Sequence, residues 1–171
     1  MVEVRKPEQL ADLDGLIIPG GESTTLLKLM EEWNFAPAFE KFHAAGKPMF
    51  GTCAGLILLA REVTNPRQFS LGFIDADVER NSYGRQRESF ETAGTAHLDK
   101  KPVQLEMVFI RAPRIRRVGP DVQVLAEHGG EPVMARQDRV LVATFHPELT
   151  DDDAVHRYFC QMIASAGGER R

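Results

Sequence analysis

The pentapeptide Gly51-Thr52-Cys53-Ala54-Gly55 constrains this chain more than any other stretch, because of what flanks it. Pro48-Met49-Phe50 before it reads as the end of a buried strand, and Leu56-Ile57-Leu58-Leu59-Ala60-Arg61-Glu62 after it is rich in helix formers. A Gly-x-nucleophile-x-Gly run between a strand and a helix is the signature of a nucleophile elbow. Its glycines permit a sharp turn and a close approach of neighbouring strands without Cβ clashes. The turn also sets the Cys53 thiol at a helix N-terminus, where backbone N–H groups and the helix dipole favour a thiolate. The competing reading is a small cysteine packed in a glycine-rich turn, since free cysteine is among the most buried residue types.

The rest of the pattern supplies a frame for that turn. Residues 2–4 alternate and predict a short strand, residues 7–10 begin a short helix or turn, and residues 15–19 predict a compact buried strand. The loop Gly20-Gly21-Glu22-Ser23 leads into a predicted helix over 24–33, with Ser23 or Thr24 as its N-cap and Leu26, Leu27, Leu29 and Met30 available for burial. A second helix is predicted over 37–45, with Phe39 and Phe42 inward and Gly46 as its stop. Strand, helix, strand, helix points to an α/β fold with a mostly parallel sheet.

Residues 69–125 are more strand-like, with alternation over 73–79, 106–111 and 122–125. A clear strand over 140–145 ends at His146-Pro147-Glu148. The last helix is predicted over 152–166. Asp151, Asp152 and Asp153 suit its N-terminal end, and Val155, Tyr158, Phe159, Met162 and Ile163 form one apolar stripe. Cys160 lies beside that stripe and reads as packing, and residues 166–171 read as a frayed tail. A length of 171 residues fits one domain over 1–171.

A formal charge of −4 argues against a nucleic-acid partner, which favours a basic surplus. No apolar run approaches the roughly 20 residues that span a bilayer. Two cysteines without a secretion signal make no disulfide framework, so the expected setting is the reducing cytoplasm.

A cysteine nucleophile needs a base, and His146 has the best context of five histidines. It sits at a strand end, where sites of α/β sheets collect, and Glu148 follows at a distance suited to orienting the imidazole. The alternative is a strand terminator with exposed polar groups. His43 and His156 fall on predicted helices, His97 and His128 in polar loops, and none has metal-ligand spacing with a second His or Cys. The Gly20-Gly21-Glu22-Ser23 loop is neither a Walker loop nor a dinucleotide fingerprint, and on its own a plain strand-to-helix turn explains it equally well. Beside Cys53 it acquires a sharper role. An oxyanion hole takes one N–H from the residue after the nucleophile, here Ala54, and a second from a neighbouring loop, here Gly21. Each such donor is worth roughly 3 kcal/mol in the transition state.

Taken in order, Gly20-Gly21-Glu22-Ser23, Gly51-Thr52-Cys53-Ala54-Gly55 and Phe145-His146-Pro147-Glu148 resemble the motifs of the class I (triad) glutamine amidotransferases. The segment from Val78-Glu79-Arg80 to Ser89-Phe90, with Phe109-Ile110-Arg111-Ala112-Pro113 and Leu149-Thr150-Asp151, is similar to the glutaminase subunits of pyridoxal phosphate synthase, the PdxT or SNO family. The resemblance implies a three-layer, flavodoxin-like fold and a triad of Cys53, His146 and Glu148. It implies glutamine-binding positions at Gly21, Glu22, Ser23, Arg80, Ile110 and Arg111. It further implies hydrolysis of L-glutamine without metal or organic cofactor, and delivery of ammonia to a (β/α)8 synthase partner. Relatives usually open with a strand, a turn carrying Leu-Gln-Gly and a helix, and this sequence begins at what resembles the second strand. Two other readings stand beside it: a glutaminase serving another synthase, against which the segment Arg80 to Phe90 and Thr150-Asp151 argue, and a shortened, catalytically silent paralogue acting as a binding module.

Overall fold

The computed structural model describes residues 1–80, 89–99 and 101–168. Part of the motif that narrows the resemblance, residues 81–88, lies outside the described residues, as do 169–171 of the tail.

Three apolar runs form the parallel part of the main sheet: β1 (Leu16–Ile18), β2 (Met49–Thr52) and, far along the chain, β10 (Val140–Ala143). Between them in sequence lie β3 (Ala60–Thr64), β4 (Ile74–Glu79), β5 (Ser89–Leu98), β6 (Lys101–Ile110), β7 (Arg114–Val118), β8 (Gln123–His128) and β9 (Glu131–Gln137). The helices are α1 (Ser23–Glu32), α2 (Ala36–Ala44), α3 (Ala54–Leu59) and α4 (Ala154–Gly168). Among the described residues the strands make a seven-stranded sheet in the order β1-β2-β10-β9-β8-β5-β6 and a smaller sheet in the order β3-β4-β7.

Alternation along the central strands builds two cores on opposite faces. Met49, Val140 and Val142 face a cluster with Met30 of α1, Phe39 and Phe42 of α2 and the leucines of α3. Phe50, Leu141 and Ala143 face another with Val155, Tyr158, Phe159 and Met162 of α4. The result is a three-layer α/β architecture. In register, Ile18 lies opposite Gly51 and Ala143 opposite Thr52. The C-terminal ends of all three parallel strands therefore meet at one edge, where sites in such sheets are found.

Several expectations are corrected. The sheet is mixed: parallel pairing joins β1, β2 and β10, and the order continues antiparallel through β9, β8, β5 and β6. The short turns that join β5 to β6 and β8 to β9 permit only antiparallel neighbours. Residues 2–4 form no strand and Val2 is 67% exposed; among the described residues β1 is the edge strand and these residues do not pair with it. The N-cap of α1 is Glu22, whose carboxylate accepts from Thr24 N (2.9 Å) and Thr25 N (3.0 Å), and not Ser23 or Thr24. Leu29 points to solvent. Helix α3 stops at Leu59, because Ala60 already pairs with Ile74 in the smaller sheet. His97 and His128 lie in β5 and β8 rather than in loops. Cys160 is exposed rather than buried in the core, and α4 stays helical through Gly168, so residues 166–168 are not frayed.

Candidate active site

Cys53 occupies the turn between β2 and α3 with φ +49° and ψ −101°, a conformation that L-residues adopt only at a cost of about 1–3 kcal/mol. Its amide N–H donates to Ala143 O of β10 at 2.9 Å, which fixes the turn to the sheet. The two elbow glycines have separate reasons. A Cβ at Gly51 would lie 2.6 Å from the carbonyl carbon of Gly55, and one at Gly55 would collide with the Ile18 carbonyl of β1. The helix thus crosses directly over two strand ends, and only glycine leaves room.

His146 is delivered from β10 by a short crossing. Thr144 N bonds Val133 O (2.9 Å) and His146 N bonds Val108 O of β6 (2.8 Å), with the fully buried Phe145 between them. Pro147 then starts a tight turn, Pro147–Leu149, that folds Glu148 back under the ring. Glu148 Oε1 lies 2.8 Å from His146 Nδ1, which leaves the other ring nitrogen for the hydrogen bond with Cys53. The hydrogen bond with Cys53 and then that with Glu148 push the His146 pKa up to about 9, against the opposing effect of burial. Burial pushes the Glu148 carboxyl up, but the His146 hydrogen bond, its own backbone N–H and the nearby charges of His146 and His156 outweigh it and hold the carboxyl below its ordinary value. A protonated imidazolium between an ionised carboxylate and a sulfur is the arrangement for nucleophilic attack followed by proton donation.

The loop after β1 closes the other side. A Cβ on Gly20 would lie 2.8 Å from His146 Nδ1 and 3.3 Å from Cys53 Cβ, so the bare backbone of this residue forms one wall of the pair. Gly21 has φ +140° and open space where a side chain would stand. Glu22 faces Arg80, with Oε1 3.8 Å from Nη2, and the Arg80 side chain is largely buried. The Thr24 hydroxyl, together with the Thr25 and Thr24 amides and the Arg80 charge, keeps the Glu22 carboxyl below its ordinary value. Ser23 is buried at the start of α1. Ile110 ends β6 two residues beyond the Val108 carbonyl that holds His146, and Arg111 follows with φ +43°. Ala54 opens α3 directly after Cys53.

The structure therefore gathers Cys53, His146, Glu148 and the Gly20 to Ser23 loop, and brings Arg80 to that loop through Glu22. It places Ile110 at the end of the strand that receives His146, and Arg111 directly after it. Three participants escape the sequence patterns: Gly20 as a contact surface, His156 as a charge near Glu148, and Gln68, which accepts the Ser23 hydroxyl at 3.1 Å. The Gly-Gly doublet was the one available signal for the first. The others come from helix α4 and from a loop, where spacing carries no information. Among the described residues no group of three or more His, Cys, Asp or Glu converges as a metal site, and no helix is long and apolar enough to cross a membrane.

This arrangement has close counterparts. The sequence profile of the SNO glutamine amidotransferase family matches residues 1–165. The pyridoxal 5'-phosphate synthase subunit PdxT of Niallia circulans is 53% identical over 165 residues, covering 96% of this chain and 86% of that protein. The PdxT subunit of Koribacter versatilis is 52% identical over 171 residues, covering 99% and 87%. A glutamine amidotransferase crystal structure superposes with a TM-score of 0.87 at 47% identity over 95% of this chain and 86% of its own. With its elbow, its histidine–glutamate turn and its glycine loop assembled at one sheet edge, the chain belongs to the SNO glutamine amidotransferase family.

Proposed function

We propose that this chain hydrolyses L-glutamine to L-glutamate and ammonia as the glutaminase subunit of a pyridoxal 5'-phosphate synthase. The observation that carries the reading is His146 held between Cys53 and Glu148 beside a glycine loop. In the first step the Cys53 sulfur attacks the side-chain amide carbon, a C–S bond forms, and the carbonyl oxygen becomes an oxyanion. The N–H groups of Gly21 and Ala54 receive that oxyanion. His146, protonated up to about pH 9, gives its proton to the amide nitrogen as the C–N bond breaks and ammonia leaves. Water, deprotonated by the now neutral imidazole, attacks the thioester and releases glutamate. Glu148 keeps the ring oriented and its charge compensated throughout.

The α-carboxylate and α-ammonium of glutamine need fixed partners of opposite charge. Arg80 and Arg111 suit the carboxylate, Glu22 suits the ammonium, and Ser23 and the Ile110 backbone complete the walls. The nucleophiles are the Cys53 sulfur and then water, and His146 carries the proton in both steps, so the reading calls for no metal or organic cofactor. Ammonia then passes to a (β/α)8 synthase subunit that joins it to a pentose phosphate and a triose phosphate. The names of the relatives support that destination.

The test is glutamate release from L-glutamine with and without a pyridoxal phosphate synthase core. Turnover that rises with the core, disappears in Cys53→Ala and persists in Cys160→Ala is the expected result. Full activity in Cys53→Ala would remove the triad from consideration.

A further inference from the structure

Gln68 stands outside every motif discussed so far, on the connection between β3 and β4. Its side-chain carbonyl accepts the Ser23 hydroxyl at 3.1 Å across 45 residues of sequence. Ser23 is 5% exposed, so its hydroxyl has little access to water as a substitute partner. Ser23 begins α1 and ends the Gly20 to Ser23 loop, whose paired glycines give it little stiffness of its own.

The far end of the Gln68 connection is tied to the Cys53 side of the site. Leu71 N bonds Leu58 O (2.8 Å), Phe73 N bonds Leu59 O (2.9 Å) and Gly72 N bonds Ala60 O (3.0 Å). Leu58 and Leu59 belong to α3, the helix that opens with Ala54. The Ser23–Gln68 hydrogen bond therefore joins two pieces of chain that are separate in sequence: the loop carrying Gly21, and the segment anchored on the helix behind Cys53.

We infer that Gln68 is a positioning residue for the reaction. Through Ser23 it fixes the glycine loop relative to α3, and so fixes the Gly21 N–H relative to the Ala54 N–H across the oxyanion site. This inference rests on the glutaminase reading above. Loss of an oxyanion donor outright costs roughly 100-fold or more in kcat, and loosening one without deleting it is expected to cost about tenfold. Substrate contacts through the arginines remain, so kcat carries most of the loss.

The experiment compares Gln68→Met, which keeps length and loses the acceptor, with Gln68→Glu, which keeps an acceptor at the same reach. Glutaminase kcat and KM, thermal midpoint and the rate of Cys53 alkylation by iodoacetamide are measured on the full chain with the synthase core present. Gln68→Met is expected to lower kcat about tenfold with KM within about twofold, and Gln68→Glu to recover most of that loss. The alkylation rate should match the wild type in both, while Gln68→Met, which leaves the buried Ser23 hydroxyl without its acceptor, lowers the midpoint by about 2–4 °C and Gln68→Glu restores it. Ser23→Ala combined with Gln68→Met should be no slower than the slower single variant, since both remove the same bond. Undiminished kcat in Gln68→Met, failure of Gln68→Glu to recover, or a parallel fall in alkylation each overturns the role assigned to Gln68. A wild-type chain that releases no glutamate overturns the glutaminase reading itself, and this inference with it.

Discussion

At the scale of single residues the chemistry turns on one proton. The His146 ring, pushed up to about 9, is charged at neutral pH, and its hydrogen bonds to Cys53 and Glu148 are the cause. Because the proton it holds is the one given to ammonia, kcat/KM for glutamine should be flat at neutral pH and fall on a basic limb near pH 9. Glu148→Gln keeps an acceptor but removes the charge, so the limb should move down by about 1 pH unit or more while kcat drops. A pH–rate profile of both proteins decides this, and an unmoved limb would mean Glu148 does not set the ring. The same shift has a stability consequence of definite sign. A group raised in the fold from 6.5 to about 9 contributes stability in full below 6.5 and loses it as pH rises through 9. Gly20 supplies a second prediction. Its φ lies outside the left-handed region, so alanine fits the backbone; the obstacle is the Cβ, which would press on His146 Nδ1 and Cys53 Cβ. Gly20→Ala should therefore keep the fold and lose about 100-fold in turnover, as displacements of about 1 Å do at reacting atoms.

At the scale of elements, the pieces that hold the site were legible and those that surround it were less so. The elbow, the strand into His146 and the helix after the glycine loop all follow from apolar runs bounded by glycine and proline, signals that tertiary context does not reverse. Strand β7 was hidden because its sequence, Arg114-Ile115-Arg116-Arg117-Val118, is dominated by charge. The structure neutralises that charge within the small sheet and beside it: Arg116 pairs with Glu79 of β4 at 2.5 Å and with Glu131 of β9 at 2.9 Å, and Arg117 pairs with Asp75 and Asp77 of β4. Residues 60–62 read as helix because their propensities say so, and pairing of β3 with β4 overrode them. Residues 2–4 show the opposite error, a strand-like alternation over three residues that makes no ladder with the edge strand β1. The cap of α1 is hidden for a related reason: a glutamate is an uncommon cap, and here Glu22 Oε2 takes the Thr24 and Thr25 amides while Oε1 faces Arg80. Glu22→Ala should accordingly lower stability by about 1 kcal/mol through the lost cap and raise KM by freeing Arg80. Since the carboxyl is held below 4.5, this stabilisation is present at neutral pH and is lost as pH falls from 4.5 through the depressed value. Urea melts at pH 7 and at successively lower pH would register the difference as present and then fading.

At the scale of the whole molecule, β2 serves two masters. Its Phe50 side chain is fully buried against Phe159 of α4, with ring centroids 5.6 Å apart, while Met49 fills the core beneath α1, α2 and α3. Three residues after Phe50 the same strand presents Cys53. A cysteine at that point has two possible explanations, a packing residue of the core or a reactive group held above it, and they predict different energetics. Phe50→Ala should cost about 3–5 kcal/mol by leaving a cavity between sheet and helix. Against a total of about 5–15 kcal/mol for a domain, that is enough to lower the urea midpoint sharply and to reduce glutaminase activity through unfolding. Cys53→Ala removes a single sulfur from a strained turn, and with it one of the hydrogen bonds that raise the His146 pKa, so it should lower the midpoint far less than Phe50→Ala and abolish turnover. The two variants thus separate what holds the sheet edge in place from what acts at it. If Cys53→Ala instead lost stability comparable to Phe50→Ala, the thiol would belong to the core, and the elbow would be a packing device rather than the seat of a nucleophile.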